Sequence, residues 1–223
     1  MYKKFLGEGI YGKCYELKSG EVLKIFKIPR DIDDLKKYKR FLEYKNDSVL
    51  FPYRFNIEKR HIKSYICAKA PGDKIYNSLA QYDIFNISKH LFKLERDIGF
   101  ISNGNIIMYD NHSENMFYDG VKFSVIDVDE YDFYDYVYKH DLAYVYDRNM
   151  SKIETCMYEI FCNEISKTEL SNNDKHVIYD QFKKYIFWDC NPSSQILIYK
   201  NILEKFLNEN ITSLDSVKVL TKR

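Results

Sequence analysis

The chain has 223 residues, is 45% hydrophobic and 17% aromatic, and balances 34 basic against 33 acidic residues for a net charge of +1. This is ample apolar material for a core, which excludes a disordered chain, and the charge balance requires neither nucleic acid nor a membrane surface as partner. Five cysteines with no C-x-x-C spacing support neither a disulfide framework nor a zinc site; with no apolar leader in MYKKFLGEGIYGK and no run of about 18 apolar residues, a reduced, cytoplasmic protein is expected.

The first elements read as strands. Residues 13–17 and 21–26 are β-rich runs joined by Lys18-Ser19-Gly20, a hairpin signal. Residues 31–45 place Ile32, Leu35, Tyr38 and Leu42 at helical spacing, with Pro29 before them and Asp31 as a cap. Residues 51–58 and 61–68 read as two further strands, and Ala70-Pro71-Gly72-Asp73 is the clearest breaker, dividing 1–70 from 71–223. Beyond it, Ile84, Ile87, Leu91, Leu94 and Ile98 form an amphipathic helical stripe that ends at Ser102-Asn103-Gly104-Asn105. A β-rich stretch spans 106–128. From about residue 141 the pattern is helical again, broken near Ser171-Asn172-Asn173 and at Asn191-Pro192.

Gly7, Gly9 and Gly12 form a G-x-G-x-x-G pattern, which by itself is a weak signal. A dinucleotide site needs a helix after such a turn, and here KCYEL followed by a turn reads as a strand. The remaining use is a turn between two strands lying over the phosphates of ATP, which requires a lysine on the next strand; EVLKIF supplies Lys24. Taken singly, the glycines, Lys24 and the Asp and Asn residues downstream are ordinary turn and strand residues. Their occurrence in order is what carries weight.

On these motifs the chain resembles the protein kinase-like superfamily over residues 3–145. Gly7-Glu8-Gly9-Ile10-Tyr11-Gly12-Lys13-Cys14 looks like the Gly-rich loop and Val22-Leu23-Lys24 like the strand-lysine motif. Asp110 and Asn115 have the D-x-x-x-x-N spacing, and Val125-Ile126-Asp127 looks like the metal-aspartate segment. The resemblance implies an α+β, two-lobed fold with a β-rich N-lobe (1–70), a mainly helical C-lobe (71–223) and a short activation segment. It implies ATP and Mg²⁺ as cofactors. Gly7, Gly9 and Gly12 would cover the phosphates, Lys24 would hold them, Asn115 and Asp127 would bind the metal, and Asp110 would orient the acceptor hydroxyl and take its proton.

Several positions depart from the family pattern. The catalytic motif reads Met108-Tyr109-Asp110, and the usual D-F-G reads Asp127-Val128-Asp129. His112 stands where protein kinases carry Lys, a feature shared with the aminoglycoside and choline phosphotransferase branch. His140-Asp141-Leu142-Ala143 follows Asp127 closely, leaving little room for a peptide-docking loop. The acid that pairs with Lys24 is left among Asp33, Asp34 and Glu43, with Asp34 slightly favoured. The first expectation is a minimal Ser/Thr protein kinase. A small-molecule kinase is the alternative, and a nucleotide-binding pseudokinase and a nucleotidyl transferase are further readings.

Overall fold

The computed structural model describes residues 2–75, 84–110, 112–134 and 144–151, with isolated positions between 162 and 176. Five strands, β1 (Tyr2–Glu8), β2 (Gly12–Leu17), β3 (Val22–Asp31), β4 (Arg54–Glu58) and β5 (His61–Cys67), form one antiparallel sheet in the order β1-β2-β3-β5-β4. The predicted hairpin turn joins β2 to β3: Gly20 takes φ of 86°, and the Leu17 amide donates to the Glu21 carbonyl at 2.8 Å. A positive φ of this kind is open to glycine at little steric cost.

Helix α1 (Asp34–Phe41) packs on this sheet through Tyr38 and Phe41, both buried. The Tyr38 ring lies 5.5 Å from Phe55 and 6.0 Å from Tyr65. The helix starts later than its apolar spacing predicts, because β3 continues through Pro29 to Asp31. The β3–β5 ladder shifts register between Ile25 and Arg30, so Pro29, which has no N–H to donate, falls within a bulge. The Asp31 carboxylate accepts the Asp33 amide at 2.9 Å.

Past the breaker, β6 (Asp73–Lys74) precedes helix α2 (Ile84–Asn103). Four short strands follow: β7 (Ile106–Met108), β8 (Met116–Tyr118), β9 (Phe123–Val125) and β10 (Tyr131–Phe133). They pair as β6-β8-β9 and as β10-β7. Leu91, Leu94 and Ile98 of the predicted stripe are fully buried and join Tyr38, Phe41 and Met116 in one core. The chain between α1 and β4 ties the large sheet to β9. The Leu50 amide donates to the Val125 carbonyl at 2.9 Å, the Val125 amide donates to the Ser48 carbonyl at 2.7 Å, and Ser48 Oγ donates to Asp97 at 2.6 Å. The protein is therefore a mixed α+β chain built on a five-stranded antiparallel sheet. The helices expected beyond residue 141 lie largely outside the described residues, as does the segment at His140–Asp141–Leu142–Ala143. Among the described residues, no helix is long and apolar enough to cross a membrane.

One buried side chain holds β7 in place. Asn149, from the helical stretch 144–151, is fully buried. It accepts the Met108 amide at 2.9 Å and donates to the Ile106 carbonyl at 2.8 Å and to Ser102 Oγ at 2.9 Å. Its side-chain amide thus completes the hydrogen bonding of the strand that leads to Asp110. Asn149→Ala orphans these groups and is expected to cost about 2–4 kcal/mol. Urea titration should show the lowered midpoint, whereas an unchanged midpoint would contradict this role.

Candidate functional site

The three glycines lie on the β1–β2 hairpin. The Gly9 amide donates to the Gly12 carbonyl at 2.9 Å, and Ile10 at the tip is 85% exposed. The turn is anchored from below by β3. The Lys27 amide donates to the Tyr11 carbonyl at 2.9 Å, and Lys27 Nζ pairs with the Glu8 carboxylate at 2.7 Å. That ammonium, helped by Lys13, holds the Glu8 carboxyl below the usual range. The glycines are not equivalent. A Cβ on Gly12 would come within 2.6 Å of the Ile25 carbonyl oxygen, whereas one on Gly7 or Gly9 would meet open space.

Lys24 sits on β3 and is buried, with its ammonium held by two carboxylates. Nζ lies 2.5 Å from Asp127 Oδ1 and 2.6 Å from Asp129 Oδ2. Burial opposes the lysine charge, but Asp129 and then Asp127 outweigh it, so its pKa is raised and the ammonium is kept. Burial pushes the Asp129 carboxyl up, against the pull of Lys24. The other Asp129 oxygen accepts the Tyr38 hydroxyl from α1 at 3.3 Å, and burial, then Asp129, raises the Tyr38 pKa.

The acid expected from α1 is therefore not what holds Lys24. Asp34 faces Lys37 at 3.7 Å, Asp33 faces Lys36 at 3.9 Å, and Glu43 is exposed in the 3₁₀ turn Leu42–Tyr44. The buried face of α1 carries Tyr38 and Phe41, so the helix meets this site with a phenol rather than a carboxylate. Asp129, which in the sequence is marked only as part of the Asp127-Val128-Asp129 triplet, is the acid that holds Lys24 alongside Asp127. Its signal was an acid at the third position of Asp127-Val128-Asp129, where the family pattern has glycine.

Asp127 itself has φ 61° and ψ 64°, the left-handed region that costs a non-glycine residue roughly 1–2 kcal/mol. Aspartate tolerates this region better than most residues, and such strain concentrates at functional sites. Next to it, the Ile126 amide donates to the Asn115 carbonyl at 3.0 Å. Asn115 ends the 3₁₀ turn Ser113–Asn115 and is buried. Its Nδ2 donates to the Asp110 carbonyl oxygen at 2.9 Å and lies 3.2 Å from His112 Nε2. With Nδ2 so committed, Oδ1 is the amide group left to act as a ligand. His112 Nε2 is in turn 3.6 Å from Asp110 Oδ1, and both side chains are about half exposed. The pairing of Tyr131 with Met108 brings the strand after Asp127 beside the strand before Asp110.

These parts meet at one cleft of about 440 Å³, lined by Gly7, Gly9, Gly12, Lys24, Asn115 and Asp127. Asp110 is not among its lining residues; it lies just outside, beside Asn115. Val22, Ala70, Cys67 and Phe117 add apolar lining. Burial pushes the Cys14 thiol up and the Cys67 thiol to about 12, so both line the cleft as neutral, weakly polar groups. Tyr11 of the turn, also in the lining, carries the Arg30 guanidinium on its ring at 4.8 Å, and Arg30 pairs with Glu130 at 3.0 Å. A largely apolar slot that also presents a cation, a carboxylate and an amide oxygen suits a planar base attached to a phosphate chain. Among the described residues, no cluster of three or more His, Cys, Asp or Glu is arranged to hold a metal. One carboxylate and one amide oxygen do fit Mg²⁺, which keeps waters and substrate phosphates as its other ligands.

The glycine geometry is directly testable. Gly12→Ala forces β2 away from the Ile25 carbonyl and is expected to destabilise the protein by about 1–3 kcal/mol. Gly9→Ala should stay within about 0.5 kcal/mol of the parent. Thermal denaturation of both variants separates them, and equal effects would contradict the geometry.

No protein-family model matches the chain, and none of the curated proteins compared with it matches.

Proposed function

We propose that the chain is an ATP- and Mg²⁺-dependent phosphotransferase with a two-lobed, protein kinase-like fold, acting in the cytoplasm. The observation that carries this reading is the convergence of the glycine turn, Lys24, Asn115 and Asp127 on one cleft, from segments far apart in sequence. Phosphoryl transfer asks a protein for positioning and for neutralisation of charge, and this set of groups supplies both.

In this reading the apolar slot takes the adenine, and the backbone N–H groups of the turn cover the phosphates. The Lys24 ammonium pairs with the α- and β-phosphates. Asp127 and the Asn115 amide oxygen hold Mg²⁺, which when bound offsets the negative charge of the phosphate chain. As the acceptor oxygen bonds to the γ-phosphorus and the bridging bond to the β-phosphate breaks, releasing ADP, Asp110, half exposed beside the cleft, accepts the proton of the attacking hydroxyl. The acceptor is Ser or Thr of a protein. A small hydroxyl compound is the second reading, and the observation favouring it is His112, which sits within 3.6 Å of Asp110 in the place of the protein kinases' lysine.

Purified protein incubated with Mg²⁺, cell lysate, a panel of small hydroxyl compounds and ATP labelled at the γ- or, separately, the α-phosphate tests this. Label should pass to an acceptor, and Asp127→Ala should abolish the transfer. Asp110→Asn should lower kcat by about 10²–10⁴-fold while leaving ATP affinity within about threefold. Undiminished transfer by Asp127→Ala would overturn the reading. Label delivered from the α-phosphate instead would replace it with nucleotidyl transfer.

A further inference from the structure

Lys24 has two acidic partners, and their surroundings differ sharply. The Asp127 side chain is 31% exposed and faces the cleft, whereas that of Asp129 is fully buried and does not line it. A ligand in the cleft can reach Asp127 but not Asp129. Asp129 is also held from behind, because its second oxygen accepts the hydroxyl of Tyr38, itself buried on α1. From these contacts we infer that Asp129 is the positioning residue of Lys24, doing from the metal-binding segment what a helix carboxylate was expected to do. This inference rests on the phosphotransferase reading.

The two carboxylates then divide the work. When a nucleotide-bound metal draws Asp127 to itself, Lys24 loses one partner, and Asp129 remains to aim the ammonium at the phosphates. Because Asp129 follows Asp127 by two residues, the anchor of the lysine and the metal ligand are fixed by one short segment. Helix α1 contributes a neutral hydroxyl, so its docking steadies the pair without supplying the charge. Removing one member of a buried ion pair leaves the other uncompensated, so the lysine should lose its aim when Asp129 is neutralised.

The test is a double-mutant cycle on ATP affinity, read by isothermal titration with ATP in Mg²⁺ and again in EDTA. In the wild-type background Asp129→Asn is expected to weaken ATP binding about tenfold in Mg²⁺, where Asp127 is drawn to the metal, and by less in EDTA, where Asp127 still holds Lys24. In a Lys24→Met background it should cause no further loss. A loss of the same size in the Lys24→Met background would overturn the proposal: present in both buffers it shows a merely structural role, and confined to Mg²⁺ it makes Asp129 a metal ligand. Should Asp129→Asn fail to fold, Tyr38→Phe carries the same cycle. It should weaken ATP about threefold in the wild type and not at all in Lys24→Met, and equal effects in both would again overturn the proposal. A wild-type protein that binds no ATP in either buffer would overturn the phosphotransferase reading, and this inference with it.

Discussion

The site depends on one buried ammonium held between two carboxylates. Lys24 and Asp127 are 103 residues apart in the chain, so their contact forms only when the large sheet and the β8–β9 hairpin close on each other. A charged lysine removed from water is costly unless paired, and its pairing with both Asp127 and Asp129 makes that closure worth keeping. The neighbouring backbone contacts, Ser48 and Leu50 with Val125, act across the same junction. Fold and site are thus held by the same interactions.

Around that pair the structure sets backbone where side chains would interfere. Gly12 gives β2 room against the Ile25 carbonyl. Gly7 and Gly9 have open space above them, which in the proposed function belongs to the phosphates. Asp127 adopts a left-handed conformation between the buried strand β9 and the buried Val128, and its carboxylate is thereby turned toward Lys24 and the cleft. The 3₁₀ turn Ser113–Asn115 uses the Asn115 amide to fix the Asp110 backbone. Asp110, His112 and Asn115 are consequently held as one group rather than as three loop residues.

Much of this was legible in the sequence. The Lys18-Ser19-Gly20 turn, the strands on either side of it, and the apolar stripe of α2 follow from local spacing and turn chemistry. Gly7, Gly9, Gly12, Lys24, Asn115 and Asp127 were each singled out from motif order, and they line one cleft. Two features were not legible. Pro29 marked a helix start by local rules, yet the β3–β5 register shift that absorbs it is set by pairing with β5, a distant segment. The resemblance implies a carboxylate partner for Lys24 among Asp33, Asp34 and Glu43, in or beside α1. Which face of so short a helix is buried depends on Tyr65 and Phe55, and that face carries Tyr38. Asp129 was visible as an acid in an unusual place, but its burial, which gives it a different role from Asp127, is a tertiary property.

The most direct measurement is a crystal structure of the protein with Mg²⁺ and a non-hydrolysable ATP analogue. The account predicts the adenine in the apolar slot beside Val22 and Ala70, the phosphate chain under the glycine turn and against Lys24, and the metal on Asp127 and Asn115. A nucleotide bound elsewhere, or a cleft that stays empty at saturating analogue, would contradict it.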